Sequence, residues 1–295
     1  MQCPNGLRCV LAALEGPMMR VGGVEFGGTK VRCIIGVGPG SIARELRIPT
    51  RDPGQTLGEV LDFFRSHSPM PQAIGVGSFG PLDLVRGRIA HTPKPGWSGV
   101  DIRGALESLG VPVVLDTDVA AALAGELRWG AAQGVEKALY LTVGTGIGGA
   151  IDVGVSAHPE MGHIPIPRLA DDPLQRGVCR FHEDCWEGWA SGPALAARYG
   201  VPTALPADHP AWSLEARYLA QGIRSLTLSL MPDLVIVGGG VGLRPGMLEQ
   251  VQTELDVVMD GCAGRGPSAS WLVTAGLGED AGLFGAMALA MSQTD

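Results

Sequence analysis

A repeated glycine turn is the feature that most constrains how this chain can fold. "RVGGVEFGGTKVRCIIGVG" (residues 20–38) and "ALYLTVGTGIGGAIDVG" (residues 138–154) each carry a β-rich run into a Gly/Thr turn and out again. The outgoing runs are read as residues 31–37 and 150–155. Gly144-Thr145-Gly146-Ile147-Gly148-Gly149 matches the glycine spelling of a dinucleotide fingerprint. That fingerprint, however, must open a helix whose N-terminus meets a pyrophosphate. "GAIDVGVSA" has no helical periodicity, and the lysine position of a Walker loop is absent. Both turns therefore read as hairpin tips. Such tips expose backbone N–H groups with no Cβ in the way, and Thr29 and Thr145 add hydroxyl donors, so they suit phosphate oxygens. One alone is an ordinary tight turn; two, one in each half of the chain, form a weak internal repeat.

Around the hairpins, buried-looking strands fall at 73–77, 111–116 and 233–240. Helices are expected at 56–66, 103–109, 119–132, 193–199, 213–230, 246–259 and 280–291. Strands alternating with helices imply an α/β fold, and the 295 residues suffice for two lobes and a cleft. The 119–132 helix and the last one are alanine-rich and should pack closely between layers. One phosphate hairpin per lobe is the plan of the two-lobed actin-like ATPase (sugar kinase, ribonuclease H-like) folds. The expected lobes are residues 19–118, completed by a C-terminal helix at 282–295, and residues 119–281.

Composition excludes several classes. A net charge of -8 with scattered basic residues opposes a surface built for nucleic acid or anionic membrane. No apolar run approaches the ~20 residues of a membrane span. The run at 9–14 is too short for a signal peptide. Residues 1–17 are expected to be disordered or untranslated, with a start at Met18 or Met19, and the protein to be cytoplasmic, where clustered cysteines more often bind metal than pair.

"RLADDPLQRGVCRFHEDC" is the least regular segment, so something besides secondary structure must order it. It contains Cys179-x2-His182-x2-Cys185, with His163 upstream. Two thiolates and two imidazoles make a closed tetrahedral set for a structural Zn²⁺, with no open position for water. A Cys179–Cys185 disulfide is the alternative, and His158 is the rival fourth ligand.

These residues bring a family into view. From about Met19 onward the chain resembles the ROK sugar kinases, and within them the bacterial fructokinase branch. The matching pieces are "EFGGTK", "GSFGPLD", "TPKPGW", "LDTDVAAALAGELRWGAA", "TVGTGIGG", "HPEMGH", "CRFHEDCWEGWASGPA" and "VGGGV", in this order. The resemblance implies ATP-dependent phosphorylation of a hexose, fructose first, at its 6-hydroxyl, by a homodimer using Mg²⁺ and a structural Zn²⁺. It implies that Asp118, at the start of the 119–132 helix, is the general base; its bland role would be an N-cap, and Asp116 is the runner-up. It makes Glu160, His163 and Glu187 sugar contacts, with Gly80 beside them. Trp97 is either a pocket wall or a core residue. Gly27, Gly28, Thr29 and Lys30 on one side, and Gly144, Thr145 and Gly146 on the other, would hold the triphosphate. Glu25 could position Mg²⁺ through water, and Gly238, Gly239 and Gly240 suit the adenosine side. His163 could bind zinc through one ring nitrogen and the sugar through the other. Two residues depart from the pattern: Ala120 stands where the family usually has Asn, and Glu25 where many relatives carry Asp.

Competing readings are a hexokinase also taking mannose or glucose, a sugar-responsive repressor, and a zinc-stabilised sugar-binding protein without catalysis. The repressor is disfavoured because no helix-turn-helix is expected ahead of the first hairpin. The third requires loss of the base, yet Asp118 is present.

Overall fold

The computed structural model describes residues 19–152 and 159–293. The expected 1–17 extension and His158 lie outside the described residues. Two sheets form the scaffold. The first hairpin consists of β1 (Val21–Phe26) and β2 (Lys30–Gly38), followed by β3 (Ser41–Pro49) on the outer side of β2. β4 (Ile74–Ser78) is succeeded by a two-strand ribbon, β5 (Leu82–Asp83) with β6 (Arg88–Ile89), and then by β7 (Val113–Thr117). The five-stranded order is β3-β2-β1-β4-β7, antiparallel through β3-β2-β1 and parallel through β1-β4-β7. In the second sheet, β8 (Ala138–Val143) and β9 (Ile147–Ile151) form the hairpin, joined by β10 (Leu234–Gly238) and β11 (Leu272–Thr274). Its order is β11-β10-β8-β9, again with an antiparallel hairpin and parallel strands on the other side of its first strand.

The hairpin repeat is thus a repeat of sheet topology. It differs from the sequence reading in one particular: the outgoing strand of the second hairpin starts at Ile147, directly after the turn, and not at 150. Its predicted end at 153–155 lies outside the described residues.

α1 (Pro53–Arg65) starts where the Asp52 carboxylate accepts the Gly54 N–H at 2.9 Å and proline occupies the first helical position. It buries Val60, Phe63 and Phe64 on the outer face of the first sheet, beside α2 (Ile102–Glu107). On the second sheet the corresponding cover is α6 (Ala211–Leu230) and α8 (Met247–Met259). Between the sheets run α3 (Asp118–Trp129) and α9 (Ala281–Met291). Their alanines and glycines bring them to backbone contact: a Cβ on Gly285 would lie 1.8 Å from the Ala121 carbonyl oxygen. α9 also packs on β1 and β4, where Gly75 meets Ala286. These small residues let two helices fill a gap that larger side chains would force open, which fixes the angle between the sheets. Glu126 on α3 is fully buried and accepts N–H groups of Ala131, Gly276 and Leu277 at 2.7, 3.0 and 2.9 Å, tying α3 to the approach of α9.

Candidate active site

The carboxyl ends of β1, β7, β8 and β10 converge on a cavity of about 270 Å³. Glu25, Lys30, Asp118, Tyr140, Thr142 and Gly239 contribute to its lining, so both sheets and the inter-sheet helices supply groups to one space. Ligands in open α/β sheets bind outside the strands' carboxyl ends for this topological reason.

Asp118 is the first residue of α3, half-buried in the cleft wall. The cap role belongs to its neighbour: Thr117 Oγ1 accepts the Ala120 N–H at 3.2 Å, leaving the Asp118 carboxylate to its own turn, where it accepts the Val119 N–H at 2.9 Å. The expectation that Asp118 could be merely the cap is corrected here, because a threonine one residue earlier satisfies that orphan donor. Burial pushes the Asp118 carboxyl up to about 6, with the negative charge of Glu160 adding to the rise and the Val119 amide opposing it. Asp116 sits at the end of β7, its Oδ1 accepting the Thr117 N–H at 2.7 Å. Glu25, on β1, is also raised, chiefly by burial, against the opposing charges of Arg32 and Lys30. Its Oε2 is buried and lacks a hydrogen-bond partner, while Oε1 lies against Gly282.

The first turn closes through the Gly27 N–H donating to the Lys30 carbonyl at 2.9 Å. From just beyond β3, the Thr50 hydroxyl donates to the Gly27 carbonyl at 2.7 Å. Gly28 and Thr29 stand exposed at the tip. The second turn closes through the Gly144 N–H donating to the Gly146 carbonyl at 2.9 Å, and Thr145 is exposed. At Gly238–Gly240, read from sequence as a strand end, Gly238 ends β10 and the chain then turns into a short helix, α7 (Gly239–Gly242). Gly239 has φ +80°, and a Cβ there would meet the Val143 carbonyl oxygen at 2.5 Å. Only glycine lets this turn lie against the second hairpin.

His163, Cys179, His182 and Cys185 come together, their ligand atoms all within 4.8 Å of one another. Cys179 Sγ lies 3.8 Å from His163 Nδ1 and 4.0 Å from His182 Nδ1. These separations are long for hydrogen bonds. They approach the roughly 3.6 Å that a tetrahedral ion with ~2.3 Å sulfur and ~2.05 Å nitrogen bonds imposes on its ligands. Both cysteines are free thiols, so the four residues fit a zinc ion and the disulfide alternative is set aside. Cys185 also caps α4 (Trp186–Ala190), its Sγ accepting the Gly188 N–H at 3.4 Å. That short helix carries Glu187, whose Oε2 accepts the Ile147 N–H of the second hairpin at 2.9 Å. A Cβ on Gly146 would stand 2.5 Å from the same oxygen. Glu160 and His163 share one 3₁₀ turn, Met161–His163, whose Met161 packs under Gly149.

Two expected sugar-side residues behave differently from one another. Gly80 is exposed at the end of β4. Trp97 is fully buried in the core of the first sheet, edge-on to Phe26 and Phe79, and its indole N–H donates to the Arg51 carbonyl at 3.0 Å. It presents no face to the cleft, because its polar atom and its ring are both committed to the core. Sequence reasoning missed Tyr140, at the cavity floor, and Glu126. A polar residue inside an otherwise apolar strand or helix was the available signal for each.

A model of the ROK family matches residues 21–293. The chain is 35% identical over 286 residues to the fructokinase of Pediococcus pentosaceus, covering 93% of this chain and 98% of that one. To the fructokinase of Zymomonas mobilis subsp. mobilis it is 37% identical over 292 residues, covering 92% and 96%. The crystal structure of a ROK family glucokinase from Streptomyces griseus in complex with glucose and AMPPNP superposes with a TM-score of 0.73 at 27% identity, covering 92% of this chain and 99% of that one. Among the described residues, no helix is long and apolar enough to cross a membrane.

Proposed function

The chain belongs to the ROK family, and from that premise we propose that it is an ATP-dependent fructokinase forming fructose 6-phosphate. The observation that carries the reading is Asp118: a carboxyl with a pKa near 6, in one cavity with groups from both glycine-hairpin sheets. In this reading the sugar's 6-hydroxyl attacks the γ-phosphorus in line. Asp118 takes the hydroxyl proton as the O–P bond forms, and ADP leaves with the electron pair of the broken bond. Gly27, Gly28, Thr29, Lys30, Gly144, Thr145 and Gly146 hold the phosphates, and Gly238, Gly239 and Gly240 the adenosine. Glu160, His163, Glu187 and Gly80 orient the sugar. One Glu187 oxygen is already taken by Ile147, which leaves the other for a hydroxyl.

Mg²⁺ fits the same reading, because a hydrated cation satisfies the unpartnered Glu25 Oε2. It would supply charge neutralisation on the phosphates. Zinc, held by His163, Cys179, His182 and Cys185, would order the 159–190 loop and supply no step of the transfer. Lobes of residues 19–118 with 282–295, and of 119–281, would close around the substrates. A homodimer in the cytoplasm belongs to this reading, and light scattering tests the oligomer.

The deciding experiment is a coupled ADP-release assay over fructose, mannose, glucose and N-acetylmannosamine. Fructose is expected to give the highest kcat/KM, and no turnover with any sugar would sink the proposal. A broader hexokinase is the second reading, favoured by the glucose bound to the Streptomyces griseus relative.

A further inference from the structure

One cation near the cleft has no part in the roles above. Lys94, the lysine of "TPKPGW", reaches across 66 positions of sequence to the tip of the first hairpin, where its ammonium donates to the Gly28 carbonyl. It lies 6.0 Å from the centroid of the Phe79 ring, and Gly80 is the next residue. The base of this side chain is fixed. Three residues on, Trp97 is buried and tied to Arg51. The Ser98 hydroxyl clasps the other end of the loop, accepting the Thr92 N–H at 3.0 Å and donating to the Thr92 carbonyl at 3.1 Å. A flexible stem thus stands on a rigid platform beside the turn.

The charge balance of the cleft gives this placement its meaning. Among the described residues, Glu25, Asp118 and Glu279 line the cavity against the one cation Lys30 in the same lining. Arg32, the neighbouring guanidinium on β2, is engaged by Asp280 at 2.6 Å and Glu45 at 3.2 Å. A triphosphate entering between these walls carries more negative charge than Lys30 alone offsets, so a second cation at its terminal end fits the site. Lys94 is paired with a neutral carbonyl, and a phosphoryl oxygen is the stronger acceptor for an ammonium because that bond is charge-assisted. A compact charge on a rotatable stem can also follow a group that moves during transfer.

We infer that Lys94 contacts the terminal phosphoryl group of the bound nucleotide and so separates triphosphate from diphosphate. The inference rests on the kinase reading of the cleft. It also gives the buried Trp97 its place, as the anchor that aims Lys94 without touching substrate.

The test is titration calorimetry of Mg²⁺-AMPPNP and Mg²⁺-ADP against the full chain and the variants K94M, K94Q and K94R, with melting temperatures alongside. K94Q keeps a donor for the Gly28 carbonyl but removes the charge. AMPPNP affinity should fall about tenfold or more in K94M and K94Q, the loss expected for one charge-assisted hydrogen bond. ADP affinity should stay within about twofold, and K94R should recover part of the loss. Equal weakening of both nucleotides, or K94Q matching the parent chain, overturns the inference, since Lys94 would then only hold the turn. A parent chain that binds neither nucleotide overturns the kinase reading, and this inference with it.

Discussion

The two glycine hairpins have similar spelling and different supports. The first is held by its own sheet: β3 flanks β2, and Thr50 of the segment just after β3 donates from its hydroxyl and its amide to the carbonyls of Gly27 and Thr29. The second sheet ends at β9 among the described residues. There the turn is held from outside, by Glu187 accepting the Ile147 N–H and by the Gly192 N–H donating to the Gly144 carbonyl at 2.7 Å. Both supports follow Cys185 within seven residues of chain, on α4 and at the start of α5 (Gly192–Tyr199). The loop of the His/Cys cluster therefore takes the place that an extra strand occupies in the first sheet. A duplicated turn can be buttressed by β structure in one copy and by a loop carrying a His/Cys cluster in the other.

Asp118 belongs to neither support, so its removal should separate chemistry from grip. Asp118→Asn is expected to lower kcat by about 10²–10⁴-fold, with AMPPNP affinity nearly unchanged and the melting temperature at neutral pH unchanged or raised, since the buried charge is removed. Substantial retained turnover in steady-state assays would reject the base assignment. Glu126 serves both sheets at once, through α3 and the segment before α9. Glu126→Ala leaves three amides without their acceptor and should cost about 3 kcal/mol or more of stability, read by denaturant titration. A loss confined to one hairpin's protection in hydrogen exchange would argue against a shared strut.

Metal removal is the direct way to break the comparison. Chelation or Cys179→Ser should raise KM for the sugar about 10–100-fold. It should also open residues 159–190 to protease while residues 20–50 stay protected. Equal exposure of both segments would mean that the hairpins do not differ in the way described. Zinc analysis of protein purified without chelator should give one ion per chain.

The smallest expected effect is on pH. With the Asp118 carboxyl at about 6, log kcat/KM should rise by about one per pH unit below that value and level off above it. Stability should move oppositely. The native state holds this proton more tightly than the unfolded chain, whose value is 3.8, so the contribution is complete below that pH and is lost as pH rises through 6. Glu215, fully buried on α6 and pushed up to about 8 by burial, extends the same fall in stability from its unfolded 4.5 toward 8. Glu215→Gln should flatten that slope and leave the activity profile alone. An activity profile that shifts with Glu215→Gln would link the α6 acid to the cleft.

Much of this was legible before any coordinates. Sharp turns, alanine-rich helices and Cys/His spacing are local signals, written in consecutive residues, and they gave the hairpins, α3, α9 and the four residues of the His/Cys cluster. β3 escaped because an edge strand is mostly exposed, so its alternation is faint. α4 escaped because five residues are too few for a helical period to register. The Thr117 cap was adjacent in sequence to Asp118, yet either residue type could have filled the role.

The chain itself determined that there are two glycine-tipped hairpin turns, an acid at the head of a helix and a Cys/His set with metal-ligand spacing, because each depends on residue type and short spacing. Only the tertiary structure decided what those parts lean on: Lys94 at Gly28, Glu187 at Ile147, Glu126 at Gly276 and Leu277, and Trp97 inside the core. Such pairings join segments tens of residues apart, through contacts that exist once the sheets have packed across α3 and α9, and no local pattern encodes which distant partner a side chain will meet.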